Sequence, residues 1–127
     1  MEVCNERMED WVGRVQNYLA GYRFCVDMLE LRRYERVHAS AFEEEPDAEL
    51  LAGNEAMWRA RMLEIGAFIG SLPNGRAKLV LHYRYIKGLS IERISGLLSV
   101  SRRTGYRLHE RGLLLAAAVY RRREGGK

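Results

Sequence analysis

Apolar residues recur at helical spacing along nearly the whole chain. Trp11, Val15, Tyr18, Tyr22, Cys25 and Leu29 form a three–four stripe, which predicts one long amphipathic helix over about residues 5–42. Gly13 and Gly21 weaken it by about 1 kcal/mol each relative to alanine. Leu51, Trp58, Met62, Ile65, Ile69 and Leu72 give a second helix, over about 48–72, its own apolar face. The acidic stretch "EEEPD" at 43–47 marks the turn between them, and its carboxylates favour the N-terminus of the second helix through the macrodipole. Two amphipathic helices joined by a short turn pack antiparallel as a hairpin. A two-helix hairpin buries little by itself, so it needs the C-terminal unit, a second copy, or both to pack on.

"SLPNG" at 71–75 reads as a loop and as the boundary between two units, 1–72 and 73–127. A third helix is predicted over about 76–87, with Leu79, Val80, Tyr83 and Ile86 inward, stopped by Gly88. Ser90 caps a short fourth helix over 91–98, and Ser99-Val100 form a turn. Ser101 caps a fifth helix that reaches about residue 120, where the tail "RRREGGK" frays. Only Pro46 and Pro73 interrupt, both between periodic segments, and no β-alternating run of useful length occurs. The predicted class is all-α: an N-terminal two-helix antiparallel hairpin followed by a three-helix unit.

Within that unit, 88–113 meets most demands of a helix-turn-helix. Such a motif needs apolar anchors four apart on its first helix, a small residue at the crossing and an apolar plug in the turn. The second helix then shows one apolar face inward and a polar N-terminal face outward. Ile94 and Leu98 are the anchors, supported by Ile91; Ser95 is the small residue, Val100 the plug, and Leu108 holds the second helix, with Leu113 and Leu115 extending its inward side. The outward positions are Arg102, Arg103, Tyr106 and Arg107. Arginine suits bidentate contact with guanine edges or phosphate. One position departs from the pattern: Gly105 stands where an Ile or Val is usual, so a small void is expected there, and Gly112 loosens the helix in a similar way. The competing reading is a plain helical bundle whose exposed arginines only keep it soluble.

Charge distribution sharpens the choice. The net charge of +4 conceals a split: residues 1–70 hold 8 Lys+Arg and 14 Asp+Glu, whereas residues 71–127 hold 13 Lys+Arg and 3 Asp+Glu. A unit at +10 attracts a polyanion, and nucleic acid is the commonest one. With 127 residues, 47% of them apolar, the chain suits a folded globular protein of one domain or two small helical units. No run of about 18 apolar residues exists, and "MEVCNERMED" does not read as a signal peptide, so no membrane partner and a cytoplasmic setting are expected. Cys4 and Cys25 read as reduced thiols. His38, His82 and His109 show no ligand spacing, so no metal and no cofactor are expected. No P-loop, no G-x-G-x-x-G after a strand and no H-E-x-x-H occurs, and the adjacent His109 and Glu110 point to different helix faces; an enzyme is not expected.

The stretch "LHYRYIKGLSIERISGLLSVSRRTGYRLHERGL", 81–113, resembles region 4 of sigma-70-type transcription initiation factors, a winged-helix-like DNA-binding module. It resembles more closely the small phage regulators built on that module, of the ArpU-like and RinA-like late transcription regulator type. The match is carried by "RYI.GLS.E.I...L..SRRT.YR.H" and covers roughly the C-terminal third of the chain. In the sigma family the second helix of this motif reads the −35 promoter element. The resemblance thereby implies that Arg102, Arg103, Tyr106 and Arg107 read DNA, with Ser101 and Arg93 near the phosphates and Arg111 completing the DNA-binding set. The remainder does not resemble a sigma factor, since no aromatic-rich domain for the −10 element accompanies the hairpin.

The resemblance implies a phage or prophage regulator that binds double-stranded DNA sequence-specifically in the bacterial cytoplasm, forms a homodimer through the hairpin, and has RNA polymerase as a further candidate partner. Two other functions fit the same pattern. Small terminase subunits also join a helix-turn-helix to oligomerising helices, which would place the protein in genome packaging. An adaptor that binds RNA polymerase without touching DNA is the third.

Overall fold

The structure, a computed structural model, describes residues 7–38 and 48–125, the side chains of 48–51 and 125 excepted. The acidic turn at 43–47, Cys4, the predicted ends of the first helix and the side chain of Leu51 lie outside the described residues.

The described chain is all helical, in the predicted order. α1 spans Met8–Val37, and Asp10 in its first turn accepts a hydrogen bond from the Arg7 backbone N–H at 3.3 Å. α2 spans Ala48–Gly70. The two run antiparallel: Tyr18 near the start of α1 bonds Glu64 near the end of α2 at 2.6 Å, while Arg36 pairs with Glu55 at the opposite ends. Trp11, Val15, Leu19 and Cys25 are the buried residues of α1, and burial pushes the Cys25 thiol up, which keeps it protonated. On α2 the buried face is Trp58, Ile65, Phe68 and Ile69, continued by Leu72 just beyond it.

α3 spans Arg76–Leu81 and continues as a π-helical segment, His82–Ile86, closed by the Lys87 N–H bonding the His82 carbonyl at 3.2 Å. Gly88, at φ +73°, turns the chain out of it, as its position predicts. α1 contributes to this end as well: Arg23 donates to the Ile86 carbonyl at 3.1 Å. α4 spans Ile91–Leu98 and α5 spans Arg102–Gly125.

Two apolar clusters hold these elements. The larger takes Trp11, Val15 and Leu19 from α1, Ile65, Phe68 and Ile69 from α2, Leu81 and Tyr85 from α3 and its π segment, and Leu113, Ala116 and Ala117 from α5. The hairpin therefore packs on the C-terminal unit, one of its two expected supports. The smaller cluster joins Val80, Ile91, Ile94 and Leu108, and belongs to the helix-turn-helix itself. Each fully buried Leu or Ile contributes roughly 1.5–3 kcal/mol of transfer free energy.

Several expected details differ. Leu79 is 43% exposed rather than inward, because α3 lies between the two clusters and turns Val80 to one and Leu81 to the other. Leu115 is exposed too; Ala116 and Ala117 take the inward places, and their small side chains let α5 close on α1. α5 also continues past Tyr120 to Gly125 instead of fraying. Its last turn is held by Arg123, which lies 5.4 Å from the Tyr18 ring centroid and bonds Glu64 at 3.2 Å. Buried in this contact and donating to Glu64, the Tyr18 hydroxyl is pushed up to about 12. Among the described residues no helix is long and apolar enough to cross a membrane.

Candidate nucleic-acid interface

The sequence around 88–113 folds as two short-linked helices because each end is capped. The Ser90 hydroxyl accepts from the Arg93 N–H at 3.1 Å and starts α4. Ser99 ends it in the left-handed region, φ 56° and ψ 42°, and the Val100 N–H returns to the Ser95 carbonyl at 3.0 Å. Val100 is half-buried in the turn. The Ser101 hydroxyl then accepts from the Thr104 N–H at 3.1 Å and donates to the Thr104 hydroxyl at 2.9 Å, which starts α5.

The crossing of α4 and α5 overturns the expected void at Gly105. Ser95 is 3% exposed and donates to the Ile91 carbonyl at 2.8 Å, while its hydroxyl occupies the space a Gly105 side chain would need. A Cβ at 105 would collide with that oxygen and lie 3.3 Å from Ile91 Cγ2. The missing side chain is thus the condition for close packing. Gly112 acts likewise one step further: a Cβ there would come within 2.9 Å of both the Ala77 carbonyl and Leu81 Cγ on α3. Leu108 fills the small cluster beside Ile94, and Tyr106 turns outward as its position predicts.

A half-buried polar chain fixes the middle of α5. Tyr85 and His109 meet at 2.8 Å through the phenol oxygen and Nε2, with rings stacked, and Gln16 of α1 donates to the same phenol at 3.4 Å. Burial, reinforced by Arg84, holds the His109 pKa below its ordinary value, and burial pushes the Tyr85 phenol up. A neutral imidazole with Nε2 as acceptor satisfies this arrangement.

On the outer side, Arg102, Arg103, Tyr106 and Arg107 all lie exposed on the first two turns of α5. Arg93 is exposed on α4, Ser101 at the cap and Arg111 one turn beyond Arg107. These positions divide into two groups. Arg102 Nε lies 3.2 Å from Glu92 Oε2 of α4, and the Tyr106 hydroxyl donates to the same oxygen at 2.8 Å. The Tyr106 bond first, then a backbone N–H and the Arg102 charge, lower the Glu92 pKa. Arg93, Arg103, Arg107 and Arg111 have no ion-pair partner among the described residues. Thr104, Arg107, Glu110 and Arg111 line a shallow cleft of about 480 Å³ that Arg76 of α3 also lines.

Sequence reasoning missed Glu92, and counted Arg76 only within the basic stretch 76–123 without singling it out. Glu92 stands 14 residues before Tyr106, on another helix, and only the crossing brings them together. Arg76 carries no signal beyond its charge. Among the described residues no group of three or more His, Cys, Asp or Glu is placed to hold a metal ion. Protein-family models, curated proteins and solved structures were compared with this chain, and none matches it.

Proposed function

We propose that the protein is a sequence-specific DNA-binding transcriptional regulator of the kind phages and prophages encode, acting in the bacterial cytoplasm. α5 would lie in the major groove with Arg102, Arg103, Tyr106 and Arg107 toward the bases. The observation that carries this reading is the outer face of α5. It rises from a capped, tightly crossed helix pair and presents Arg103, Arg107 and Arg111, which have no ion-pair partner among the described residues, beside Arg102, which pairs with Glu92. Phosphate neutralisation would supply affinity, and base-edge contacts specificity. Dimerisation through the hairpin would match a two-fold related pair of half-sites.

Selection from a random duplex library, followed by affinity measurements over a salt series, tests the proposal. The reading expects an enriched motif and an affinity that falls steeply with salt. Absence of binding, or binding indifferent to salt, removes it.

One observation favours an adaptor reading. A groove of about 1050 Å³ between α2 and α3 is lined by Leu63, 76% exposed, and Leu79, with Arg76 and Lys78 also lining it. Such a surface fits a protein partner. Capture of RNA polymerase that is unaffected by nuclease treatment, from a protein that enriches no DNA motif, would favour it over DNA binding.

A further inference from the structure

The outer face of α5 has two flanks with different electrostatics. Toward α4, Arg102 and Tyr106 are held by Glu92. Toward α3, Arg107 and Arg111, on successive turns and about 6 Å apart along the helix, line a single cleft with Arg76. Glu110 is the one acid of that lining, so the cleft carries three guanidinium charges against one carboxylate. None of the three arginines has an ion-pair partner among the described residues. Like charges brought to one concavity repel one another, and an anion placed between them relieves that repulsion. Guanidinium forks match phosphate oxygens in geometry as well as charge, and the Thr104 hydroxyl at the same cleft adds a donor.

The geometry points to this cleft as a binding site for a phosphodiester of the DNA backbone, with Arg76, Arg107 and Arg111 as its cations. The inference rests on the DNA-binding reading and refines it. Arg107 becomes a residue that positions the protein on the duplex instead of one that reads a base, and Arg76 joins the interface from a helix outside the helix-turn-helix. Reading then belongs to Arg102 and Tyr106, on the flank toward α4, and to Arg103, one turn before Arg107 on the same stripe of the helix. Contacts of this kind fix register and carry no sequence information of their own.

The test is fluorescence anisotropy with two labelled duplexes, one carrying the selected motif and one of scrambled sequence, from about 50 to 200 mM salt. Arg76→Ala, Arg107→Ala and Arg111→Ala are each expected to weaken binding to both duplexes by a similar factor, roughly tenfold. Each should also lower the log–log salt slope by about 0.9 and leave the ratio between the duplexes unchanged. Arg76→Lys should restore the slope, and Glu110→Gln should tighten binding to both duplexes. All these side chains are exposed, and an unchanged thermal midpoint would confirm that each variant folds.

The inference is overturned if the Arg76 and Arg111 variants keep the wild-type slope and affinity. It is equally overturned if Arg107→Ala changes the ratio between the duplexes. Failure of the wild-type protein to bind either duplex would instead overturn the DNA-binding reading on which it rests.

Discussion

Arginines in the hairpin and arginines in the C-terminal unit meet different neighbours. In the hairpin, Arg36 and Arg59 pair with Glu55, Arg32 pairs with Glu35 at 3.0 Å and lies 5.5 Å from the Trp58 ring centroid, and Arg14 covers Trp11 at 4.5 Å. Their charge is spent within the fold, and their stems shield the aromatic part of the core. In the C-terminal unit only Arg102, with Glu92, and Arg123, with Glu64 and Glu124, form ion pairs, whereas Arg76, Arg93, Arg103, Arg107 and Arg111 have none among the described residues. The contrast teaches that the net charge of +4 is a poor guide. Cations without an ion-pair partner among the described residues also occur in the hairpin, at Arg33 and Arg61, but Arg76, Arg107 and Arg111 come together in one cleft, and that grouping is what marks an interface.

The largest expected effects break the scaffold of that face. Ile94 is fully buried in the small cluster, so Ile94→Ala should destabilise the protein by about 2–5 kcal/mol, read from urea unfolding. Gly105→Ala should cost roughly 1–3 kcal/mol, because its Cβ meets Ser95. Adding Ser95→Gly should return part of that loss, and additive losses in this double-mutant cycle would contradict the packed crossing.

The next effect separates the two halves functionally. Arg103→Ala should lose about 1–3 kcal/mol of binding to a selected duplex and relax its sequence preference. Arg33→Ala, on the exposed side of α1, should change neither.

A smaller effect concerns the Gln16–Tyr85–His109 chain that joins the halves. The folded His109 pKa is lowered, chiefly by burial, from an ordinary value of 6.5. Above pH 6.5 the imidazole is neutral in folded and unfolded protein alike. As pH falls through 6.5, the unfolded state takes up a proton that the folded state refuses, so stability declines toward the folded pKa. The thermal midpoint should drop as the pH falls below 6.5, and less so in His109→Gln. Equal slopes would remove His109 as the cause. Smallest of all, Glu92→Gln should tighten binding to both duplexes by about threefold, since it removes the carboxylate that offsets the Arg102 charge.

Much of the fold was legible because local signals agree. Ser90, Ser101 and Gly88 punctuate the chain where their hydrogen bonds or positive φ require, and the bounds of α4 follow directly. The outward placement of Arg102, Arg103, Tyr106 and Arg107 followed from the same spacing. Relations between helices were not legible. Gly105 looked like a missing side chain, since spacing along one helix does not show that Ser95 already fills the place. The inward face of α3 was misassigned at Leu79 because that helix serves two clusters, and one stripe cannot describe both. Arg76 and Glu92 reach the face only through packing.

Titration of the isotope-labelled full chain with duplex DNA carrying the selected motif, followed by amide chemical shifts, tests the central claim most directly. The account predicts shifts concentrated at Arg76, Arg93 and 101–111, with the exposed side of α1 unmoved at Arg33. Shifts confined to the hairpin, or none at saturating DNA, would contradict it.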